Sequence, residues 1–475
     1  MTDQHDSQAC APEVSPAPAL WASRRARLAA LGRRRGLAAA LVLTLLLPAG
    51  LLSGPHFSPA ALGPRDHDRS AAAGPPTGAR DWPSWALGTQ DPRTGPAASR
   101  SRPELLLSSG YRGWAAAPPA PVLAQGPDLS SELDPTGAAA RGIYLTGYTA
   151  GQPASFQALL KLVESTALNA MVIDIKDEGG YATYETRVRA YHEAGAVRVR
   201  IRDLEGLLRV AKAHGVYTIA RLVCFNDTAL AQANPDLAVK TPEGRLWRDR
   251  RGHAWTDPFR PEVWEYNIDL AVEAAQMGFD EIQFDYVRFP TDGDTARCVF
   301  SRPSGPGNQN RIRAISEFLQ YGRGRLAPLG VLTSADVFGI ICSSRAASAL
   351  GQVLEDVAAA VDYVSPMIYP SHYGPGHFGL DNPNAEPYLT VRGALSDALA
   401  RLGPEGKARL RPWLQDFTLG YPYGAEEVLD QIRATHELGI QGWLLWNPSN
   451  RYNVTALRAF TVNLEAYLTA GDSGG

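Results

Sequence analysis

The chain is poor in cysteine and methionine and carries no excess of either charge. It has four cysteines and four methionines in 475 residues, and its formal net charge is -3. No C-x-x-C spacing occurs, so a structural zinc site is not predicted. Because the charge is nearly balanced, the sequence shows no electrostatic footprint for nucleic acid, and no nucleic-acid partner is expected.

Several motifs of common enzyme classes are also missing. No G-x-G-x-x-G follows the first predicted strand, and there is no P-loop and no H-E-x-x-H pair. No G-x-S-x-G elbow joins a predicted strand to a helix, which argues against an esterase of the α/β-hydrolase type. The sequence therefore predicts neither a metal site nor an organic cofactor.

An uncharged apolar run, residues 36–52, follows a cluster of six arginines between positions 24 and 35. We expect residues 1–35 to form a basic cytoplasmic segment and 36–52 a signal anchor or transmembrane helix. Small residues near Pro48 leave signal cleavage and secretion open as the alternative. In either case the rest of the chain is expected outside the cytoplasm, where Cys298 and Cys342 would be free to form a disulfide.

Residues 53–136 are rich in proline, alanine and glycine, and this composition predicts a disordered linker. From residue 137 to 470 short apolar runs alternate with helical patterns. Eight strands are predicted, at 142–146, 170–175, 216–225, 281–287, 331–337, 363–369, 410–415 and 442–446. Seven helices are predicted between them, at 155–165, 201–214, 261–278, 311–326, 350–360, 389–402 and 425–438. This order predicts an α/β fold, a (β/α)8 TIM barrel, with a doubly wound open sheet as the alternative.

Long segments follow several of the predicted strands, whereas the segments that lead into strands are short. The long ones are residues 226–260, 291–310 and 371–387. In a (β/α)8 barrel the loops after the strands build the active face. The functional residues are therefore expected at the carboxyl ends of the strands.

The fourth predicted strand ends in a charged residue. In its sequence Ile282 and Phe284 fall on one face, and Gln283 and Asp285 fall on the other. Burying an ionised carboxylate is unfavourable unless it is paired or used, so Asp285 is the first catalytic candidate. The structural alternative is an ion pair between Asp285 and Arg288 that closes the strand.

A second carboxyl, Asp336, lies on the next predicted strand, and neighbouring strands are about 4.8 Å apart. Glycoside hydrolysis needs such a pair, one carboxyl to donate a proton and one to attack or to activate water. We expect Asp285 to be the charged member, because Arg288 is close in sequence, and Asp336 to be the acid. Whether the outcome is retaining or inverting stays open.

Other polar and aromatic residues stand at or after the ends of the predicted strands. Alternation along the second strand predicts that Asp174 and Lys176 share a face. Flat rings suit the apolar faces of sugars and also present a polar edge. The predicted substrate-binding residues are Asp174, Lys176, Arg221, Arg288, Tyr369, His372, Gln415, Trp446 and Asn447. For each one alone, an ion pair or a satisfied core polar group is the alternative interpretation.

The segment Asp-Tyr-Val-Arg-Phe-Pro at 285–290 resembles a bacterial family of glycosyl hydrolase domains long classed as a domain of unknown function. Residues 142–146, 172–177, 234–240, 365–373 and 445–448 agree with the same family. The resemblance covers about 141 to 468. It implies a TIM-type barrel of the glycosidase kind and assigns no catalytic roles.

These observations predict a membrane-tethered glycoside hydrolase that acts on an envelope or extracellular polysaccharide through two carboxylates. A second hypothesis is a non-catalytic polysaccharide-binding barrel of the cell envelope. A third is a deacetylase-like or lyase activity, and deacetylation would usually require a metal.

Overall fold

The computed structural model describes residues 135–464. The predicted basic segment, anchor and nearly all of the predicted linker therefore lie outside the described residues. Among residues 135–464, no helix combines the length and apolar character that a membrane crossing requires.

Eight parallel strands close into a barrel, because the first strand pairs with both the second and the last. The sheet has ten strands in the part of the chain that the structure describes, of which β3 and β4 lie outside the barrel: Arg141–Leu145 (β1), Ala170–Lys176 (β2), Ala182–Tyr184 (β3), Val197–Ile201 (β4), Tyr217–Val223 (β5), Glu281–Asp285 (β6), Leu332–Phe338 (β7), Tyr363–Met367 (β8), Trp413–Gln415 (β9) and Trp443–Trp446 (β10). Every strand predicted from the sequence is present, so the barrel prediction is confirmed and the open sheet is wrong.

The short strands β3 and β4 were not predicted, and they extend the sheet sideways from the end of β2. β3 runs antiparallel to β2, and β4 runs parallel to β3. β4 contains the alternating sequence Val-Arg-Val-Arg, and its three central residues are exposed. This strict alternation is a strand pattern, but no apolar run marks the strand in the sequence.

Helices cover the outside of the barrel. They span Pro135–Ala138, Gly147–Ala150, Pro153–Glu164, Arg189–Glu193, Leu204–Ala213, Thr228–Ala233, Pro261–Met277, Gln309–Leu326, Leu354–Ala360, Pro387–Leu402, Gly406–Arg409, Ala425–His436 and Val454–Val462. Proline occupies the first turn at 153, 261 and 387, where its missing N–H costs nothing. Gly278 ends the longest of these three in the left-handed conformation, with φ 112°.

Side chains of each strand alternate between the barrel interior and the layer under the helices. In β10, Trp443 and Leu445 pack in the helix layer, whereas Leu444 and Trp446 belong to the interior. The same alternation carries the polar residues of β5, β6 and β7 into the interior. The pleat of the strands therefore decides which charged residues meet inside the barrel.

A fully buried polar network fills the end of the barrel where the strands begin. Glu281 accepts hydrogen bonds from Tyr217 at 3.0 Å, from Ser334 at 2.5 Å and from Nη1 of Arg411 at 2.9 Å. Both members of the Glu281–Arg411 ion pair have no exposed side-chain surface. This network lies opposite the active face expected of a barrel, so we assign it to stability.

The cysteines of the described residues are free thiols. Cys224 and Cys342 are buried, and Cys298 is partly exposed. The structure thus contains no Cys298–Cys342 disulfide, although the two residues follow neighbouring strands. Cys10 lies outside the described residues.

Candidate active site

One buried arginine organises the charges at the carboxyl end of the barrel. Nη1 of Arg221 on β5 lies 2.6 Å from Asp174 on β2, its register partner. Nε and Nη2 of the same side chain donate to one oxygen of Asp285 on β6, at 2.9 and 2.6 Å. All three residues are buried. The guanidinium therefore compensates two carboxylates at once, and the geometry of its planar fork fixes both.

The second oxygen of Asp285 is also held. It accepts the backbone N–H of Tyr286 at 2.6 Å, and Tyr286 has a φ of 49°. A bulky residue in the left-handed region is strained, and such strain persists only where the surroundings enforce it. β6 ends at Asp285 because Tyr286 leaves the extended conformation. The strand end thus aims the carboxylate at Arg221.

Asp336 on β7 lies beside Asp285 but in a different environment. The residues before them, Phe284 and Ala335, are register partners. One oxygen of Asp336 accepts Nε1 of Trp413 at 2.7 Å. Burial, together with the charge of Asp285, raises the pKa of Asp336 well above its usual range. Asp336 therefore favours its protonated form, beside a carboxylate that is ion-paired with Arg221.

Asp174 completes the set of interior carboxyls. The hydroxyl of Tyr144 donates at 2.5 Å to the oxygen of Asp174 that Arg221 does not contact. Burial raises the pKa of Asp174 to about 6, and the charge of Arg221 opposes that rise. Asp174 therefore titrates at about pH 6. It contacts Arg221 in the barrel interior and also borders the loops after β1 and β2.

Aromatic rings surround this cluster. Trp446 stacks on Tyr144 with ring centroids 4.1 Å apart, and its edge meets Trp413 at 5.5 Å. The guanidinium carbon of Arg221 lies 5.1 Å from the Trp446 ring, within cation–π distance. Tyr369 is buried, and its ring centroid lies 5.6 Å from that of Phe417. Trp446 is half-buried, so part of its ring faces the mouth of the barrel.

The prediction that Lys176 shares a face with Asp174 is wrong. The register between β2 and β5 shifts between these two residues, which marks a β-bulge. The bulge turns Lys176 into the helix layer, where its Nζ lies 2.6 Å from Asp227 and 2.7 Å from the amide oxygen of Asn267. Lys176 is therefore a structural residue beneath the loops and not part of the interior cluster.

Arg288 does not pair with Asp285, so the proposed strand-closing ion pair and the reason given for the charge of Asp285 are both wrong. The guanidinium of Arg288 lies over the rings of Trp255, Tyr286 and Phe338, at 4.9, 5.0 and 4.6 Å. It also donates to the Phe289 carbonyl at 3.2 Å. Asp285 is paired instead with Arg221, 64 residues away in the sequence.

Three further predicted residues lie at the mouth of the barrel and order its loops. Gln415 accepts the N–H and hydroxyl of Ser371, at 3.1 and 2.8 Å. Asn447 accepts the N–H of Ser449 at 2.9 Å and donates to the carbonyl of Arg451 at 2.6 Å. His372 is exposed, with its ring 5.4 Å from Tyr369. Among these, His372 has the side chain most accessible to a ligand.

A cleft of about 310 Å³ opens beside the interior cluster and reaches Asp174. Tyr144, Tyr148, Glu178 and Arg200 line it. None of these four was singled out from the sequence, and neither was Trp413. Tyr144 alone had a usable signal, since it occupies an inward position near the end of the first strand. Within residues 135–464 no group of three or more histidine, cysteine, aspartate or glutamate side chains is arranged to hold a metal ion.

The buried pair formed by Lys176 and Asp227 gives a stability prediction. Lys176→Met would leave Asp227 buried without its cation, and such a change costs about 3–5 kcal/mol. As a control, Lys212→Met breaks only an exposed pair with Asp280, worth less than about 1 kcal/mol. Urea unfolding monitored by tryptophan fluorescence would measure both. Equal midpoints for Lys176→Met and the parent would show that the pair does not stabilise the fold.

Comparisons with known proteins identify a family and a shared fold. Residues 142–452 match the family described as "Putative glycosyl hydrolase domain". A hypothetical protein from Ruminiclostridium thermocellum is 41% identical, over 42% of this chain and 99% of that one, with a TM-score of 0.38. The glycoside hydrolase domain of PgaB (BpsB) from Bordetella bronchiseptica is 16% identical, over 68% of this chain and 98% of that one. Its TM-score of 0.52 reflects a shared fold.

No curated protein matches the chain. The family match extends from β1 to the loop after β10, so it includes every strand of the barrel together with Asp174, Asp285 and Asp336. The chain therefore belongs to this family of glycosyl hydrolase domains.

Proposed function

We propose that the protein hydrolyses glycosidic bonds with Asp285 as the charged carboxylate and Asp336 as the proton donor. One observation carries the proposal: two adjacent interior carboxyls have opposite environments. Arg221 contacts one oxygen of Asp285 through two nitrogens, whereas Asp336 has no ion pair among the described residues. Carboxyls whose environments separate their pKa values divide the acid and base roles between them.

In this mechanism Asp336 gives its proton to the glycosidic oxygen as the bond to the anomeric carbon breaks. Asp285 either attacks that carbon or removes a proton from the water that attacks it. In the first case water then releases the sugar from Asp285, and the proton of that water returns to Asp336. The rings of Trp446 and Tyr369 provide apolar surfaces beside the pair.

The substrate class in this proposal is an envelope or extracellular polysaccharide. The cleft that reaches Asp174 lies beside the interior cluster, and its volume of about 310 Å³ suits one part of a longer chain. The arginine-flanked apolar run at 36–52 supports a barrel tethered outside the cytoplasm, or secreted after cleavage. Protease treatment of intact cells should digest the barrel. Full protection in intact cells with digestion after lysis would place the barrel in the cytoplasm.

The test of the proposed function is product release from a panel of bacterial polysaccharides by the full-length protein. We expect new reducing ends with the parent and their loss with Asp336→Asn on unactivated substrates. Saturable binding without products would favour the polysaccharide-binding barrel instead. Release of acetate that a chelator abolishes would favour a deacetylase, and unsaturated sugar ends would favour a lyase.

The raised pKa of Asp336 predicts the alkaline side of the pH profile. The acid works only while protonated, so hydrolysis should fall as the pH rises through the pKa of Asp336. In a nitrophenyl glycoside of the same sugar, the leaving group is nitrophenolate, which departs without being protonated. Asp336→Asn should therefore still release nitrophenolate from that substrate in the first turnover, and the rate of that release should lose the alkaline fall. If the variant showed the same fall in rate at high pH as the parent, the proton donor would be a group other than Asp336.

A further inference from the structure

We propose that the cleft of about 310 Å³ beside Asp174 is a subsite for a neutral sugar unit adjoining the bond that is cleaved. This inference rests on the proposed function and adds a binding position to it. The cleft lies at the lower end of the roughly 300–1,000 Å³ typical of small-molecule sites, which suits a short segment of a chain.

The walls of the cleft are rigid because backbones meet closely around it. A Cβ on Gly151 would lie 1.9 Å from the carbonyl oxygen of Arg200, so the helix Gly147–Ala150 packs directly against β4. Gly180 has a φ of 89°, and a Cβ there would lie 1.9 Å from Asp227. The turn between β2 and β3 is thereby fixed to the buried pair formed by Lys176 and Asp227. The cleft is therefore preformed, which lowers the entropic cost of binding.

The side chains lining the cleft are of the types that bind sugars, an aromatic ring with hydrogen-bond donors and acceptors beside it. The Tyr148 side chain is 63% exposed, and its ring offers a flat surface for the apolar face of a pyranose. Neither its hydroxyl nor the guanidinium of Arg200 hydrogen-bonds to another of the residues that the structure describes. Glu178 supplies acceptors, with one oxygen 3.8 Å from Nη2 of Arg221. Hydroxyl groups of a sugar both donate and accept, so they match this mixture.

The distribution of charge favours a neutral ligand. Asp174 is compensated by Arg221, and Asp177, Glu178 and Arg200 also line the cleft. A uronic acid would bring its carboxylate towards these acidic groups, and like charges held close together cost several kcal/mol. An amino sugar would place its ammonium group beside Arg200. Both charged classes therefore meet a repulsive partner that a neutral sugar avoids.

A chain of short contacts connects the cleft with the reacting groups. Asp174 lines the cleft and lies 2.6 Å from Nη1 of Arg221, whose Nη2 lies 2.6 Å from Asp285. A sugar in the cleft would therefore hold the next glycosidic bond near the carboxylate pair. Such positioning lowers KM for oligosaccharides and leaves the chemical step on a single sugar unit unaffected.

The experiment measures Tyr148→Ala and Arg200→Ala in the full-length protein. With oligosaccharides of the sugar released in the polysaccharide panel, we expect KM to rise roughly five- to tenfold in each variant. With the nitrophenyl monoglycoside of that sugar, kcat and KM should match the parent. The controls are Tyr321→Ala on an outer helix and Arg198→Ala, whose guanidinium stacks on Tyr181 at 3.4 Å.

Direct binding separates failure of this inference from failure of the proposed function. Titration of tryptophan fluorescence would use hexamers of glucose, mannose, xylose and N-acetylglucosamine, with oligogalacturonate and a glucosamine hexamer as the charged probes. Binding of a neutral hexamer that Tyr148→Ala weakens supports the subsite even if no turnover exists. Equal binding by parent and variant, preference for a charged probe, or no binding at all would overturn it.

Discussion

Asp285→Asn is expected to lower kcat by a factor of roughly 10²–10⁴ on every substrate that the parent cleaves. The amide has nearly the shape of the carboxylate, and its oxygen can still accept hydrogen bonds from Nε and Nη2 of Arg221, although its NH2 group then leaves the N–H of Tyr286 without that acceptor. It cannot attack the anomeric carbon or take a proton from water. The variant should therefore still fold and still bind substrate, but it should no longer catalyse hydrolysis at the parent rate.

Initial rates and substrate binding should be measured together for this variant. Asp269→Asn is the matched control, because Asp269 is an aspartate on the outer helix layer whose partner is the exposed Arg325. It should retain the parent rate. If Asp285→Asn kept more than about a tenth of the parent kcat, Asp285 would have no direct part in the chemistry. A loss of binding equal to the loss of rate would instead indicate a role in holding the sugar.

The barrel could be predicted because its pattern is local and repeated. Apolar runs of strand length alternate with helical patterns eight times, and helix ends are marked at residues such as Pro261 and Gly278. These signals depend on near neighbours in the sequence. The strands β3 and β4 escaped prediction because β4 buries little apolar surface, so its alternation has no core-facing run.

The site could be predicted only in part, because some of its residues pair with residues that are far away in the sequence. Asp285 and Asp336 stand out because carboxyls at strand ends are costly to bury. The partner of Asp285 could not be read, since Arg221 comes from another strand and Arg288 is the nearest cation in sequence. Lys176 was misplaced for a different reason, because one inserted residue in a bulge reverses the face of everything after it.

The cleft was not foreseen because its walls come from segments that approach one another only in three dimensions. Tyr148 follows β1, Glu178 follows β2, and Arg200 belongs to the unpredicted β4. None of these residues has a sequence pattern that distinguishes it from an ordinary surface residue. Their common feature is the cleft itself, which appears only when the three segments are assembled.

Arg221→Met is expected to lower both stability and activity, whereas Arg411→Met should lower stability alone. Each variant removes a buried guanidinium from the barrel interior and leaves its carboxylate partners unpaired, at a cost of about 3–5 kcal/mol. Arg221 lies at the carboxyl end of the barrel, with Asp285 and Asp336. Arg411 lies at the opposite end of the barrel, with Glu281, the first residue of β6. Urea unfolding and kcat per folded molecule would separate the two effects.

The stability loss in Arg221→Met should depend on pH, and the sign follows from its partners. Burial already raises the pKa of Asp174, and the charge of Arg221 opposes that rise, so removing the guanidinium should raise the pKa of Asp174 further above its unfolded value. The folded state then binds protons more readily than the unfolded state, so the deficit shrinks as the pH falls below that raised value. We expect the midpoint difference between variant and parent to be smaller at pH 5 than at pH 8. A difference that does not vary with pH would mean that Asp174 finds another partner, and Arg221 would then not be the group that compensates its charge.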